Sequence, residues 1–217
     1  SIHGVHYLRY IDNVCFEHMA AGVFMEDAVE TKNVIKGNLV VGTRPCFSCL
    51  NSDMTPASYW IVNGDNYIEN NIAGGSSHYG FWFFPERHVV GASGREPGSA
   101  HVCPPNTPLV RFADNEAHNC RKYGFRLSAQ GGIAALGLPL AFSPRPNPCA
   151  VISDTNMYQT AQFLRCYAWR NGFNGLSVGD VAATHFVDFV AADNGWRNIE
   201  FNGVRPWGQA KHEGASM

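Results

Sequence analysis

Ala73-Gly74-Gly75-Ser76-Ser77-His78-Tyr79-Gly80 runs into Phe81-Trp82-Phe83, and its spacing decides the fold. The same arrangement returns as Ala117 to Gly124 before Phe125-Arg126-Leu127, and as Ala168 to Gly175 before Leu176-Ser177-Val178. It returns again as Ala191 to Asn198 before Ile199-Glu200-Phe201. From alanine to turn residue the distance is seven positions each time. One register carried by unlike side chains marks stacked structural repeats. Short apolar strands with Asn and Gly at the corners make the repeat a coil of parallel strands. The chain is therefore expected to be all-β, a right-handed parallel β-helix forming one solenoid domain over 1–217.

The register extends backward. Asn13-Val14-Cys15, Asn33-Val34-Ile35 and Asn66-Tyr67-Ile68 each precede a small or branched residue by seven positions: Ala20, Val40 and Ala73. Coils of about 20 to 25 residues follow. Gly-, Pro- and Ser-rich stretches at about 43–57, 85–108 and 129–158 read as loop insertions. The last two leave equivalent points of neighbouring coils and so should lie side by side. Each holds one cysteine, which makes Cys103–Cys149 the preferred disulfide, although spacing alone permits others. Cys46 and Cys49 have zinc or redox spacing, but no second such pair follows, and a local disulfide is the plainer reading.

Composition narrows the function. With 217 residues and 45% hydrophobic content, one full core is attainable. A net charge of −2 and only 16% charged residues leave no basic run for phosphates, so nucleic acid is not an expected partner. No apolar run is long enough to span a bilayer. The opening residues lack a signal-peptide pattern, and the chain reads as a piece of something longer or a mature form. Seven cysteines favour an oxidising compartment, and their odd number leaves one thiol free or paired elsewhere. There is no Asn-x-Ser/Thr acceptor, no phosphate-cradling glycine loop and no nucleophile elbow. No cofactor and no metal are expected.

Strand alternation assigns the faces. Arg126, Ser177 and Glu200 are the middle residues of their strands and suit an outer face, so Phe24, Trp60 and Trp82 should join them in one exterior ladder. Trp60, Trp82, Arg126 and Glu200 are thus candidate glycan-binding residues. The competing reading is that loops cover the tryptophans. Asn38, Asn71 and Asn115 occupy one corner of successive coils and should form a structural ladder. Catalytic candidates are weak. Glu26, Asp27 and Glu30 form the tight acidic cluster, but adjacent carboxylates on a strand point apart, and a partner such as Asp53 or Glu69 would be needed for glycoside hydrolysis. Anchoring of a coil corner is the stronger reading for Glu26 and Asp27. His78, in the turn before the aromatic strand, could serve as an acid or base. His18 and His118 also fall near corners.

Gly22-Val-Phe-Met-Glu-Asp-Ala-Val-Glu30 and Asn33-Val-Ile-Lys-Gly-Asn-Leu-Val-Val41 resemble the fibrocystin-like proteins. So do Leu50 to Asn63 and Asn66 to Phe83, over a match of roughly 12–84. The resemblance is to the parallel β-helix region shared by fibrocystin-L and the cell migration-inducing and hyaluronan-binding proteins. It implies a β-helix segment of a large extracellular protein, tied on the fibrocystin side to cilia and other surface projections. The expected role is structural or adhesive, with protein domains or further copies as partners at the ends and faces. A glycan-binding or hyaluronan-depolymerising β-helix, with polysaccharide as partner, is the alternative.

Overall fold

The computed structural model describes residues 1–49, 54–127, 142–202 and 211–213, the last three as backbone. The chain winds into coils, each placing one strand on each of three parallel sheets, the arrangement of a right-handed parallel β-helix. The first face stacks Arg9–Ile11, Val34–Lys36, Tyr67–Glu69, Arg111–Ala113, Ala161–Leu164, Thr184–Val187 and Lys211–Glu213. The second stacks Val14–Phe16, Leu39–Val41, Ile72–Gly74, Glu116–His118, Tyr167–Trp169 and Val190–Ala192. On the third lie Val23–Phe24, Ala57–Ile61, Tyr79–Phe83, Tyr123–Leu127, Asn174–Gly179 and Arg197–Asn202.

The alanine register is a physical column. Ala73, Ala117, Ala168 and Ala191 are directly paired on the second face, continued backward by Val40 and Cys15. Small residues are required there because Gly80, Gly124 and Gly175 of the third face press against them. A Cβ on Gly124 would lie 2.7 Å from the Asn171 amide nitrogen and 2.8 Å from the Gly175 carbonyl oxygen. One expectation needs correcting. Asn13 does not align with Asn33 and Asn66, and Ala20 does not continue the alanine column. Asn13 pairs with Asn38, so the first repeat is 25 residues long, and Cys15 takes the inward position. The first face carries asparagine at the corners on both sides of its strands, Asn33 and Asn66 before and Asn38 and Asn71 after, so the spacing alone matches either corner.

Left-handed residues make the corners. Between the first and second faces the turning residue is Asp12, Gly37, Asn70, Asp114, Arg165 and Asp188, all at positive φ. The next residue is the ladder position. Asn38 donates its backbone N–H and side-chain amide to Asn71 Oδ1 at 3.1 and 3.0 Å, and Asn71 repeats both bonds to Asn115 Oδ1 at 3.0 and 3.1 Å. The same amides also donate to backbone carbonyls, Asn38 to Tyr10 and Asn71 to Ile35. Buried corner backbone is thereby satisfied without water. A second ladder links Leu8, Asn33 and Asn66, and a third links Cys120, Asn171 and Asn194.

The core is a column of rings. Tyr59, Phe81 and Phe125 stack face to face at 4.5 and 4.9 Å; beside them Phe163 stacks on Phe186 at 5.3 Å and meets Phe112 at a tilt at 4.9 Å. The coil repeat of about 4.8 Å matches the spacing that stacked aromatic rings favour. Insertions interrupt the winding at 42–56, 84–110 and 128–160, parts of which (50–53 and 128–141) lie outside the described residues. The second carries short 3-10 turns at Ser93–Arg95, Ser99–His101 and Pro104–Asn106. Disulfides join Cys103 to Cys149, clasping the two large insertions, and Cys46 to Cys49 locally. Among the described residues, no helix is long and apolar enough to cross a membrane.

Candidate functional site

The outer ladder of the third face has the register read from the sequence: Phe24, Trp60, Trp82, Arg126, Ser177 and Glu200 are successive partners. It is not an open platform. Trp82 is fully buried and Trp60 is 5% exposed. The rings pack on one another, Phe24 on Trp60 at 5.2 Å and Trp60 on Trp82 at 4.3 Å, with Phe84 against both tryptophans. Arg126 lies over Tyr79, Trp82 and Tyr123 at 5.1, 5.8 and 5.2 Å and donates to the Tyr79 hydroxyl at 3.0 Å. Glu200 accepts from the Asn174 amide at 2.7 Å and from Arg197. A saccharide would have no ring face to stack on at Trp60 or Trp82.

The acidic corner is also occupied. Glu26, Asp27 and Glu30 follow the first strand of the third face rather than lying on a strand, so Glu26 and Asp27 turn toward the same residue instead of apart. His3 Nδ1 is 3.5 Å from Glu26 Oε2 and 3.3 Å from Asp27 Oδ1. Asp27 and Glu30 are fully buried. Glu30 Oε1 accepts from the backbone of Gly4 at 2.9 Å and Asp27 at 3.0 Å, while Asp27 Oδ2 accepts from Ser93 N–H at 3.1 Å. These bonds pin the N-terminal segment and the 84–110 insertion to the corner. Asp53 lies outside the described residues. Glu69 sits on the first face beside Arg111 at 3.2 Å, so it supplies no second carboxylate here.

His78 belongs to a different corner, between the second and third faces, and does not meet Glu26 or Asp27. There it lines a cleft of about 350 Å³ with Ser77, Arg121, Lys122 and Phe173. Burial, with Lys122 and Arg121 adding positive charge, lowers its pKa to about 4. The imidazole is thus neutral at physiological pH, and its Nδ1 lies 3.4 Å from Ser77 Oγ. Among the described residues, neither Arg121 nor Lys122 has a carboxylate within ion-pair distance. The other two candidate histidines, His18 and His118, are engaged elsewhere. His18 bridges Cys15 Sγ at 3.2 Å and Thr43 Oγ1 at 3.0 Å, and His118 stacks on Trp169 at 4.5 Å.

Sequence reasoning passed over the rest of this corner. The backbone N–H of Lys122 donates to His78, that of Phe173 to Lys122 and that of Trp196 to Phe173, so the four residues form one column. Phe173 is 44% exposed and Trp196 57%, with their rings 6.1 Å apart. The signal was present in the register: each stands five residues after its column alanine.

A family model described as CEMIP beta-helix matches residues 1–125. The chain belongs to this CEMIP beta-helix family. Human fibrocystin-L is 28% identical over 200 residues, covering 92% of this chain, and the mouse protein gives the same figures. Human cell surface hyaluronidase CEMIP2 is 26% identical over 150 residues, 57% of this chain. The chain spans 4% of the length of fibrocystin-L and 11% of that of CEMIP2. The CEMIP beta-helix match takes in the first four coils, with the acidic corner and both buried tryptophans; Phe173 and Trp196 lie beyond it.

Proposed function

We propose that this chain is a structural segment of a large cell-surface protein, a stiff β-helix that spaces and presents neighbouring domains or copies and makes adhesive contacts through its sides. One observation carries the reading: Asp27 and Glu30 each commit one carboxylate oxygen to backbone N–H groups and are closed to solvent, as are the tryptophans that would line a saccharide-binding groove. Glu30 and Asp27 cap backbone N–H groups, and Trp60 and Trp82 are closed. The two disulfides fit an extracellular setting, as does the family's inclusion of a protein named for the cell surface. A ciliary or flagellar surface is the location proposed from the fibrocystin side.

The second reading is a glycan-depolymerising β-helix, favoured by the similarity to a hyaluronidase. The two separate on incubating the purified chain with high-molecular-weight hyaluronan and following polymer size by gel electrophoresis. Unchanged size over a day supports the structural role. Shortening that disappears in Asp27→Asn overturns it.

A further inference from the structure

The corner column of His78, Lys122, Phe173 and Trp196 has no part in the structural reading. Its features are a small cleft, two neighbouring cations without carboxylate partners among the described residues, a half-exposed Phe173 ring on the next coil and, beyond it, Trp196 with Arg197 over its ring. Exposed aromatic surface of this kind, beside positive charge, marks a contact site rather than a stabilising one. Its backbone is already spent: the N–H groups of Lys122, Phe173 and Trp196 bond to the preceding coil. An extended peptide, which binds through main-chain hydrogen bonds to an open edge, has nothing to pair with here. Ring faces, two cations and the hydroxyl and imidazole of Ser77 and His78 remain.

We propose that this cleft binds a single acidic sugar at the end of a glycan, of the sialic acid type. Its carboxylate sits on Arg121 and Lys122, its ring lies on Phe173, and its hydroxyl or acetamido groups meet Ser77 and His78. The number and placement of charges select this ligand. Arg121 and Lys122 are adjacent in sequence, so positive charge is focused at one point, as one carboxylate requires. A repeating polyanion would need free cations recurring along the solenoid, but the column positions of the next two coils hold Phe173 and Trp196, and Arg197, which lies over Trp196, is already paired with Glu200. At about 350 Å³ the cleft is at the small end of ligand sites, suited to one ring and its substituents. His78, a neutral ring with one donor and one acceptor nitrogen, suits sugar hydroxyls and adds no third charge. Trp196 meets Phe173 edge-on and carries the Arg197 guanidinium over its own ring at 4.2 Å, so it borders the site rather than stacking on the sugar.

The test is titration of the whole chain with sialyllactose, followed through the His78 imidazole and Trp196 indole NMR signals. Lactose serves as the neutral control. Saturable shifts with a millimolar dissociation constant are expected for sialyllactose and none for lactose. Arg121→Gln with Lys122→Gln, and separately Phe173→Ala, should each weaken binding about tenfold or more. These side chains are at the surface, and unchanged thermal unfolding would verify the fold. Raising the salt concentration, which needs no variant, should weaken binding as well. The proposal is overturned if sialyllactose causes no shifts, or if lactose matches it. It is equally overturned if a tyrosine-sulfated peptide or a long polyanion binds at this column while sialyllactose does not.

Discussion

Asparagine does at the laddered corners what water does at the end of an ordinary strand. Asn71 accepts two bonds from Asn38 and gives amide protons to Ile35 and Asn115, so removing its side chain strands several buried groups at once. Asn71→Ala should cost about 2–3 kcal/mol in chemical denaturation, against little change for the exposed Lys36→Ala. His78 gives a second test at this scale. Its pKa falls from 6.5 unfolded to about 4 folded, so the unfolded chain takes up the proton first. The contribution of the neutral ring to stability is complete above about pH 6.5 and declines as the pH drops toward 4. An NMR titration should place the midpoint near 4; a midpoint near 6.5 would contradict the account of the cleft.

Strands and corners explain how much could be read in advance. The alanine column, the glycine column facing it and the outer ladder from Phe24 to Glu200 were legible because a solenoid repeats one environment at a fixed offset, and only small residues fit where two faces converge. Gly124→Ala tests that constraint: the new methyl would meet the Asn171 amide and the Gly175 carbonyl, and a loss of about 1–3 kcal/mol is expected in thermal or urea unfolding. The burial of Trp60 and Trp82 could not be derived from alternation, which assigns a residue to a face but does not say what packs upon that face. The partnership of His3 with Glu26 and Asp27 was equally hidden, since it depends on where the N-terminal segment crosses a corner. The open column at Phe173 and Trp196 was within reach. Strand alternation does not mark it, because the two rings stand in the turns, where period-two patterning assigns no face.

The whole molecule is a stack in which each coil is held by its neighbours, with two insertions clasped on one flank by Cys103–Cys149. That disulfide ties positions 46 residues apart, and replacing both cysteines with serine should lower stability by about 2–4 kcal/mol. The same variant should admit protease cleavage within 85–108 ahead of the strands, read by mass spectrometry of early fragments. Coils that share ladders and a ring column should also resist opening as a unit. Hydrogen–deuterium exchange of the intact chain tests this claim most directly, read together at the Asn38–Asn71 corner and at Asp27–Glu30. The account predicts that the amides of Asn38, Asn71 and Asp27 exchange slowly and at similar rates, because all three are fixed to neighbouring side chains in a structural stack. Rapid exchange confined to Asp27–Glu30, within an otherwise protected solenoid, would contradict it and return that acidic corner to consideration as a working site.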